Sequence, residues 1–564
     1  MPETSPGNWG AVRTTSHRND DDLLSAGLGL AGLRLPAPAL ADGLEPADRL
    51  RRLAIHANWK GLADLTATGG FGADDELPRV PGREFRAFAR LPERAQPFRV
   101  LLQLPDAFDP EQPCLVVAPV SGSRGIYGAV PVAGPWALAR GCAVVYTDKG
   151  AGTDLFDHAS DTGVTLDGTL AERGAAELGF EPAPIEAPRV SLPHAHSGDH
   201  PEADWDEHTR VATRFALAML QQAFPARDNL DAEGVRIVLA AISNGGNAAL
   251  RALEADRDGL FDAAVVAAPN ITPPGARPLY DYASQAALLQ PCLLADAETL
   301  AQLPFANPML LPAATARCRS AHAAGLIEAP EAAAARARLE ADGFDAGALE
   351  QAAVNAALDV WRSVVALYAP AYLRRPVDAM PCGYSVAVLD EQGQPTAPDA
   401  DQRELWWPLS SGVVPGHGIN WIDTAAERSP GDTSFAGLVC LRELWTGESP
   451  EAETLRAAVE QTRASARLPD VPVLVIHGAQ DGLIPAAFSS RPYVEQARAN
   501  GHRKLAYWEI DGAQHFDVLV PFPGMNTRYR PLLPVLWDGL DRIEAVLDGR
   551  ADAIEDRVIR AIAD

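Results

Sequence analysis

The chain contains no run of about 18 apolar residues, which excludes a membrane-spanning helix. Basic charge is also scarce. Lys and Arg number 48 against 75 Asp and Glu, for a formal net charge of −27. A surface of that sign repels nucleic acid and anionic lipid, and no basic stripe offsets it, so neither is expected as a partner. An anionic small molecule would need local Arg or Lys at its site. Residues 1–22 lack a basic stretch followed by an apolar one, so no signal peptide is expected in this chain. The location implied is cytoplasmic as the chain reads, and extracellular or periplasmic if it is a mature form.

Cysteine is sparse, with six residues and no CxxC pair, which makes zinc-ribbon and thioredoxin readings poor. Cys114 and Cys142 flank or sit in apolar runs and read as core thiols. Cys292 and Cys318 share one insertion and are expected to pair only in an oxidising compartment. The glycine-bearing stretch 148–153 lacks Gly-Lys-Ser/Thr spacing and is no phosphate-binding loop. No cofactor is implied. What is present is ordinary globular composition, 47% hydrophobic and 22% charged, with 46 glycines and 47 prolines for many turns.

From residue 98 onward, short apolar runs alternate with helical stretches. Strands are predicted at 98–104, 115–120, 142–148, 235–240, 263–268, 471–476 and 504–510. Several are apolar at nearly every position, the pattern of a strand buried on both faces of a parallel sheet. Helices are predicted at 135–140, 206–224, 247–256 and 531–547. The alternation implies an α/β fold with a doubly wound, mostly parallel sheet. It fails between 272 and 455, where helical, Ala-rich stretches at 331–339 and 348–368 mix with loops bearing Pro and Trp. The expected division is an N-terminal segment (1–75), a first core part (76–271), a mainly helical lid insertion (272–455) and a second core part (456–564).

One junction carries chemistry. The strand 235–240 runs through Ala241 and Ile242 into Ser243, followed by Asn244, Gly245 and Gly246 and then a helix. This is the strand–turn–helix setting of a nucleophile elbow, with Ala241 where the usual pattern has glycine. The turn lifts a serine hydroxyl out of the sheet, and the helix N-terminus adds positive potential there. The fold expected is therefore the α/β-hydrolase fold.

A serine hydroxyl needs a base, and the base needs an orienting acid. In this fold the chain order is Ser, then Asp or Glu, then His. His515 stands in the loop after the last predicted strand and before a helix. His502 precedes its strand, on the wrong edge, and His477 lies beside the better acid. That acid is Asp481, in the loop after 471–476, where open α/β sheets place their sites. Asp511 and Asp517 would have to fold back. The oxyanion hole is expected from the Asn244 N–H and from the loop 121–128, with Ser123 or Arg124 favoured.

Weaker signals accompany these. The string from His194 to His200 has two imidazoles at i, i+2 but no third fixed ligand, so no metal is assigned and the loop, His196 included, is expected to line the site. Trp406 and Trp407 read as core more readily than as substrate contacts.

Beyond the elbow, several strings are similar to the 3-hydroxybutyrate oligomer hydrolase family. They are Asn19 to Leu24 with Ala26 to Gly29, Ala63 to Gly70, Tyr146 to Gly152, His194 to Ser197, and Ser243 to Gly246. The resemblance spans nearly the whole chain. It implies the same fold, Ser243 as nucleophile, and cleavage of short D-3-hydroxybutyrate oligomers to monomers by an ester hydrolase. The partner implied is a small oligoester, whose terminal carboxylate Arg124 or Lys149 would counter. The same triad also serves a feruloyl- or tannin-type esterase, a serine peptidase and an acyltransferase, and the fold hosts non-catalytic binding proteins. Amide cleavage would mark the peptidase, a preferred acceptor over water the acyltransferase, and an inert Ser243 the binding protein.

Overall fold

The computed structural model describes residues 8–71, 77–301, 303, 307–429 and 431–560. Parts of the N-terminal segment read from the sequence, 1–7 and 72–75, lie outside them. Ten strands form one sheet: β1 (Arg13–His17), β2 (Gly82–Ala89), β3 (Phe98–Pro105), β4 (Cys114–Pro119), β5 (Ala143–Thr147), β6 (Arg236–Ile242), β7 (Ala263–Ala267), β8 (Val473–Gly478), β9 (Leu505–Ile510) and β10 (Arg557–Ile559). Their order across the sheet is β1-β2-β3-β5-β4-β6-β7-β8-β9-β10. The three pairings from β1 to β5 are antiparallel and the rest parallel.

The helices that matter to the site are α1 (Pro46–Lys60), α2 (Val130–Ala137), α3 (Trp205–Ala223), α4 (Ser243–Glu254), α5 (Leu279–Leu293), α6 (Val360–Leu373), α7 (Ser490–Ala499) and α8 (Leu533–Leu547). Strand side chains alternate between the two faces. Val116, Ala118, Val238 and Ala240 join the core under α1, α2 and α8, whereas Leu115, Val117, Leu239 and Ala241 join the core under α3, α4 and α7. Both faces are covered, which is why these strands read as continuous apolar runs. The sheet is doubly wound, as expected.

The sequence reading omits β1, β2 and β10. In β2, Glu84 is fully buried and interrupts the apolar pattern. It is matched by the buried Arg51 of α1, whose Nε and Nη2 donate to Glu84 Oε1 at 3.0 and 2.9 Å. This pair fastens the N-terminal segment to the sheet edge.

Between β7 and β8 the chain builds a second core around α5 and α6, joined by Leu155, Val190, Leu192 and Ala195 from before β6 and by Ile484 and Phe488 from after β8. The helix read at 331–339 is seen at Ala332–Ala341. The helix read at 348–368 is broken into Ala346–Glu350, Ala352–Ala357 and α6, with Asp359 at a φ of 53° before α6. The stretch read as loops also holds a three-stranded antiparallel sheet of Tyr384–Leu389, Pro395–Thr396 and Ile419–Asp423.

Three disulfides join Cys114 to Cys142, Cys292 to Cys318 and Cys382 to Cys440. The first corrects the reading of Cys114 and Cys142 as core thiols. Leu115 and Ala143 are register partners in the parallel pair β4–β5, so the residues just ahead of them face each other with Cα atoms 4.8 Å apart. The bridge closes a separation of 28 residues, for which chain entropy gives about 3 to 4 kcal/mol. A Cys114→Ala/Cys142→Ala variant should lose roughly that much stability in denaturant unfolding. An unchanged midpoint would contradict the pairing.

Candidate active site

β6 is central, flanked by β4 and β7, and runs directly into Ser243. Ser243 has a φ of 54°, a left-handed conformation that costs a serine about 1 to 3 kcal/mol and persists where surrounding structure enforces it. The enforcement is visible in the glycines. A Cβ on Gly245 would stand 2.3 Å from the Pro119 carbonyl oxygen, and one on Gly246 would stand 2.9 Å from the Pro269 Cβ. Helix α4 is thereby pressed against the ends of β4 and β7. The methyl of Ala241 points into the core beneath, fully buried, so the elbow forms without a glycine there.

Asp481 follows β8 and His515 follows β9, so both stand with Ser243 at the carboxyl ends of parallel strands. His515 Nε2 lies 3.1 Å from Ser243 Oγ, and His515 Nδ1 lies 2.7 Å from Asp481 Oδ2. The other Asp481 oxygen accepts the N–H groups of Leu483 and Ile484 at 3.0 and 2.8 Å. Burial works against ionisation of Asp481. The charge of His515 and hydrogen bonds from His477 and His515 outweigh it and hold the carboxyl well below the usual range. His477 Nε2 lies 2.8 Å from the Ile484 carbonyl and 3.4 Å from Asp481 Oδ2. Asp517 accepts the Leu532 and Leu533 N–H groups at 2.7 and 2.9 Å and so caps the start of α8.

The loop after β4 reaches the same point. Ser121 to Arg124, Ser243, Asn244 and His515 line one cavity of about 400 Å³. Asn244 lies in the first turn of α4, where N–H groups have no intrahelical acceptor. Its side chain is fixed from both ends, donating to the Tyr368 hydroxyl and accepting from the Asn270 amide, each at 2.8 Å. In the loop, the Arg124 N–H bonds to the Ser121 carbonyl at 3.3 Å. The Ser123 N–H has no protein acceptor among the described residues. Of the two loop donors expected, the free one is therefore Ser123. The Arg124 side chain lines the cavity and donates to the Ser410 and Gly61 carbonyls at 3.1 and 2.8 Å. Burial pulls its pKa down to about 10.

Two expectations fail. Neither Lys149 nor His196 lines the cavity. Lys149 is fully buried, donates to the Gly122 carbonyl at 2.8 Å and lies 4.7 Å from the Trp205 ring centre. Burial brings its pKa down to about 7, against the pull of Asp148 and Glu202 in the other direction. His196 turns inward to accept the Leu192 N–H at 3.0 Å, closing its own short turn. The neighbour with a site connection is His194, whose Nδ1 is 2.8 Å from Ser123 Oγ. Trp406 and Trp407 are both buried. Leu62, Leu358, Val364, Leu367 and Tyr368 are among the other residues of the wall. The sequence reading names none of them, because apolar wall residues carry no motif.

The family description 3HB-oligomer hydrolase (3HBOH) matches residues 2–563. The chain belongs to the 3HB-oligomer hydrolase family. It is 36% identical over 596 residues to the D-(-)-3-hydroxybutyrate oligomer hydrolase of Burkholderia vietnamiensis (strain G4 / LMG 22486), covering 93% of this chain and 84% of that one. The protein of the same name from Paracidovorax citrulli (strain AAC00-1) is 34% identical over 621 residues, covering 96% and 87%. Among solved structures, a ligand-bound form of the rice cell wall degrading esterase LipA from Xanthomonas oryzae overlaps 86% of this chain and 95% of that one, at 13% identity and a TM-score of 0.39. Membership of the 3HB-oligomer hydrolase family makes the chain a carboxylic ester hydrolase, and its sheet and elbow have the α/β-hydrolase arrangement expected from the sequence.

Proposed function

We propose that the chain cleaves short 3-hydroxybutyrate oligomers to monomers through an acyl-enzyme on Ser243. The observation that carries this is the Ser243–His515–Asp481 relay, at 3.1 and 2.7 Å, on the wall of a cavity shared with Arg124. His515 takes the Ser243 proton as the oxygen attacks an ester carbonyl, and Asp481 holds the ring and steadies its charge. The Ser123 and Asn244 N–H groups receive the oxyanion. The departing hydroxy acid takes the proton back from His515, and water attacks the acyl-enzyme by the same route.

Arg124 supports an oligoester with a free carboxylate. Its hydrogen-bond partners are two backbone carbonyls, and no carboxylate pairs with it among the described residues. A partly desolvated cation of this kind gains most from an anionic ligand. The stretch 272–455 supplies α6 and residues 411–415 to the cavity wall, which supports its role as a lid within the four-part division read from the sequence. The three disulfides favour an oxidising compartment, the extracellular or periplasmic reading, over the cytoplasmic one.

Product analysis tests the proposal directly. Purified protein should convert a 3-hydroxybutyrate trimer to monomer with a kcat/KM above that for neutral aryl esters. Arg124→Gln should raise KM for the trimer roughly tenfold or more, the value of a charge-assisted hydrogen bond. KM for p-nitrophenyl butyrate should move less than about twofold on the same argument. Equal shifts on both substrates would remove Arg124 from substrate binding, and an intact trimer would refute the substrate assignment.

A further inference from the structure

Lys149 is an expensive residue where it stands. A buried ammonium costs several kcal/mol unless it is paired and hydrogen-bonded. No carboxylate comes within ion-pair distance of its Nζ among the described residues, and its one hydrogen bond goes to the Gly122 carbonyl at 2.8 Å. The indole of Trp205 covers it at 4.7 Å. The side chain is fully buried and absent from the cavity wall, so no substrate touches it.

The peptide it holds joins Gly122 to Ser123. In a trans peptide the carbonyl and the N–H point in opposite directions. With the carbonyl drawn toward Lys149, the Ser123 N–H is turned to the far side, where Ser123 lines the cavity with Ser243 and His515. That N–H has no protein acceptor among the described residues. The loop is braced at three other points. Gly122 has a φ of 52°, His194 holds the Ser123 hydroxyl at 2.8 Å, and the Gly412 N–H donates to the Ser123 carbonyl at 2.7 Å. Of these contacts, the one from Lys149 is the one made to the Gly122 carbonyl among the described residues.

We propose that Lys149 is a positioning residue for the oxyanion hole. Its donation to the Gly122 carbonyl aims the Gly122–Ser123 peptide and polarises it, so the Ser123 N–H becomes a stronger donor to the oxyanion. Donation to a carbonyl strengthens the N–H at the other end of the same peptide, as in any hydrogen-bonded chain. The contact is made by either protonation state of the amine and is strongest for the ammonium. Because the oxyanion develops only in the transition state, the effect belongs to kcat and not to KM. The inference rests on the serine mechanism proposed above.

The test combines kinetics with a trifluoromethyl ketone, which adds to the serine and places a tetrahedral oxyanion in the hole. Active sites are first counted by titration with a fluorophosphonate, so that only folded protein is compared. Lys149→Met should lower kcat roughly 10- to 100-fold, somewhat less than loss of a whole oxyanion donor. KM should stay within about threefold, since ground-state binding does not use this donor. The ketone inhibition constant should rise by the same factor as kcat falls, and Lys149→Arg should recover much of both. Lys149→Gln, which keeps an uncharged donor, should fall between them and serves if the methionine variant does not accumulate. A kcat within twofold of wild type, or a lower kcat with unchanged ketone affinity, would overturn the role of Lys149. If the wild-type protein itself fails to bind the ketone, the serine mechanism falls and this inference with it.

Discussion

Ser243→Ala is expected to lower kcat on every ester by on the order of 10⁵- to 10⁶-fold, the scale seen when a hydrolase loses its nucleophile. The residue stands at the one point where β6, α4 and the loop after β4 converge. Its hydroxyl is 3.1 Å from His515 Nε2, its one side-chain partner among the described residues. Alanine keeps the Cβ, so the left-handed φ of 54° and the packing of Gly245 and Gly246 are unchanged. The variant should therefore fold with wild-type stability and bind oligomer with little change. What it loses is the attacking oxygen. A residual rate from the oxyanion donors should remain, and a fluorophosphonate should no longer label the protein. Labelling of the alanine variant at the wild-type rate would move the nucleophile elsewhere.

The second large effect concerns Asp481. Asp481→Asn should reduce kcat about 10⁴-fold, because an amide in this place no longer holds the imidazole in the tautomer that accepts the serine proton. The carboxylate now receives His515 Nδ1 on one oxygen and two backbone N–H groups on the other. Asparagine can satisfy the backbone N–H groups through its oxygen, but then presents an NH₂ to His515 Nδ1. Stability should respond with a definite sign. The folded carboxyl is held below its unfolded value near 3.9. Its contribution is therefore complete above that unfolded value and is lost as pH falls through the lower, folded one. The wild type should exceed the Asn variant in unfolding free energy at neutral pH, and the gap should close in strong acid. A constant gap from neutral pH down to strong acid would mean that the carboxylate charge is not what the fold relies on.

How much of this was legible depends on the physics of each element. Strands buried on both faces, such as β4 and β6, announce themselves because nearly every residue is apolar. The elbow is legible because a serine followed by two glycines stands between such a strand and a helix. Asp481 and His515 follow from chain order and from their places just beyond β8 and β9. β2 is hidden because Glu84 and Arg86 lie buried inside it, with Glu84 held by Arg51 from α1. The Cys114–Cys142 bridge is hidden because it depends on the register of β4 against β5, which no periodicity reveals. Arg124 and Lys149 are the most instructive pair. Both are cations near the site in sequence, yet Arg124 lines the cavity and Lys149 passes behind the loop to the Gly122 carbonyl. Only the path of the loop separates their roles. Likewise, a turn closed on Ser121 takes the Arg124 N–H out of the proposed oxyanion hole.

An ester acyl group is expected to pass through Ser243 in every turnover. Rapid quenching of the protein with 3-hydroxybutyrate trimer, followed by peptide mapping by mass spectrometry, reads that step without inhibitors or variants. A hydroxybutyryl group on the peptide carrying Ser243, formed in the first turnover and lost as monomer appears, is the expected result. Monomer release with that peptide unmodified at every quench time, or an acyl group found on another residue, would contradict it.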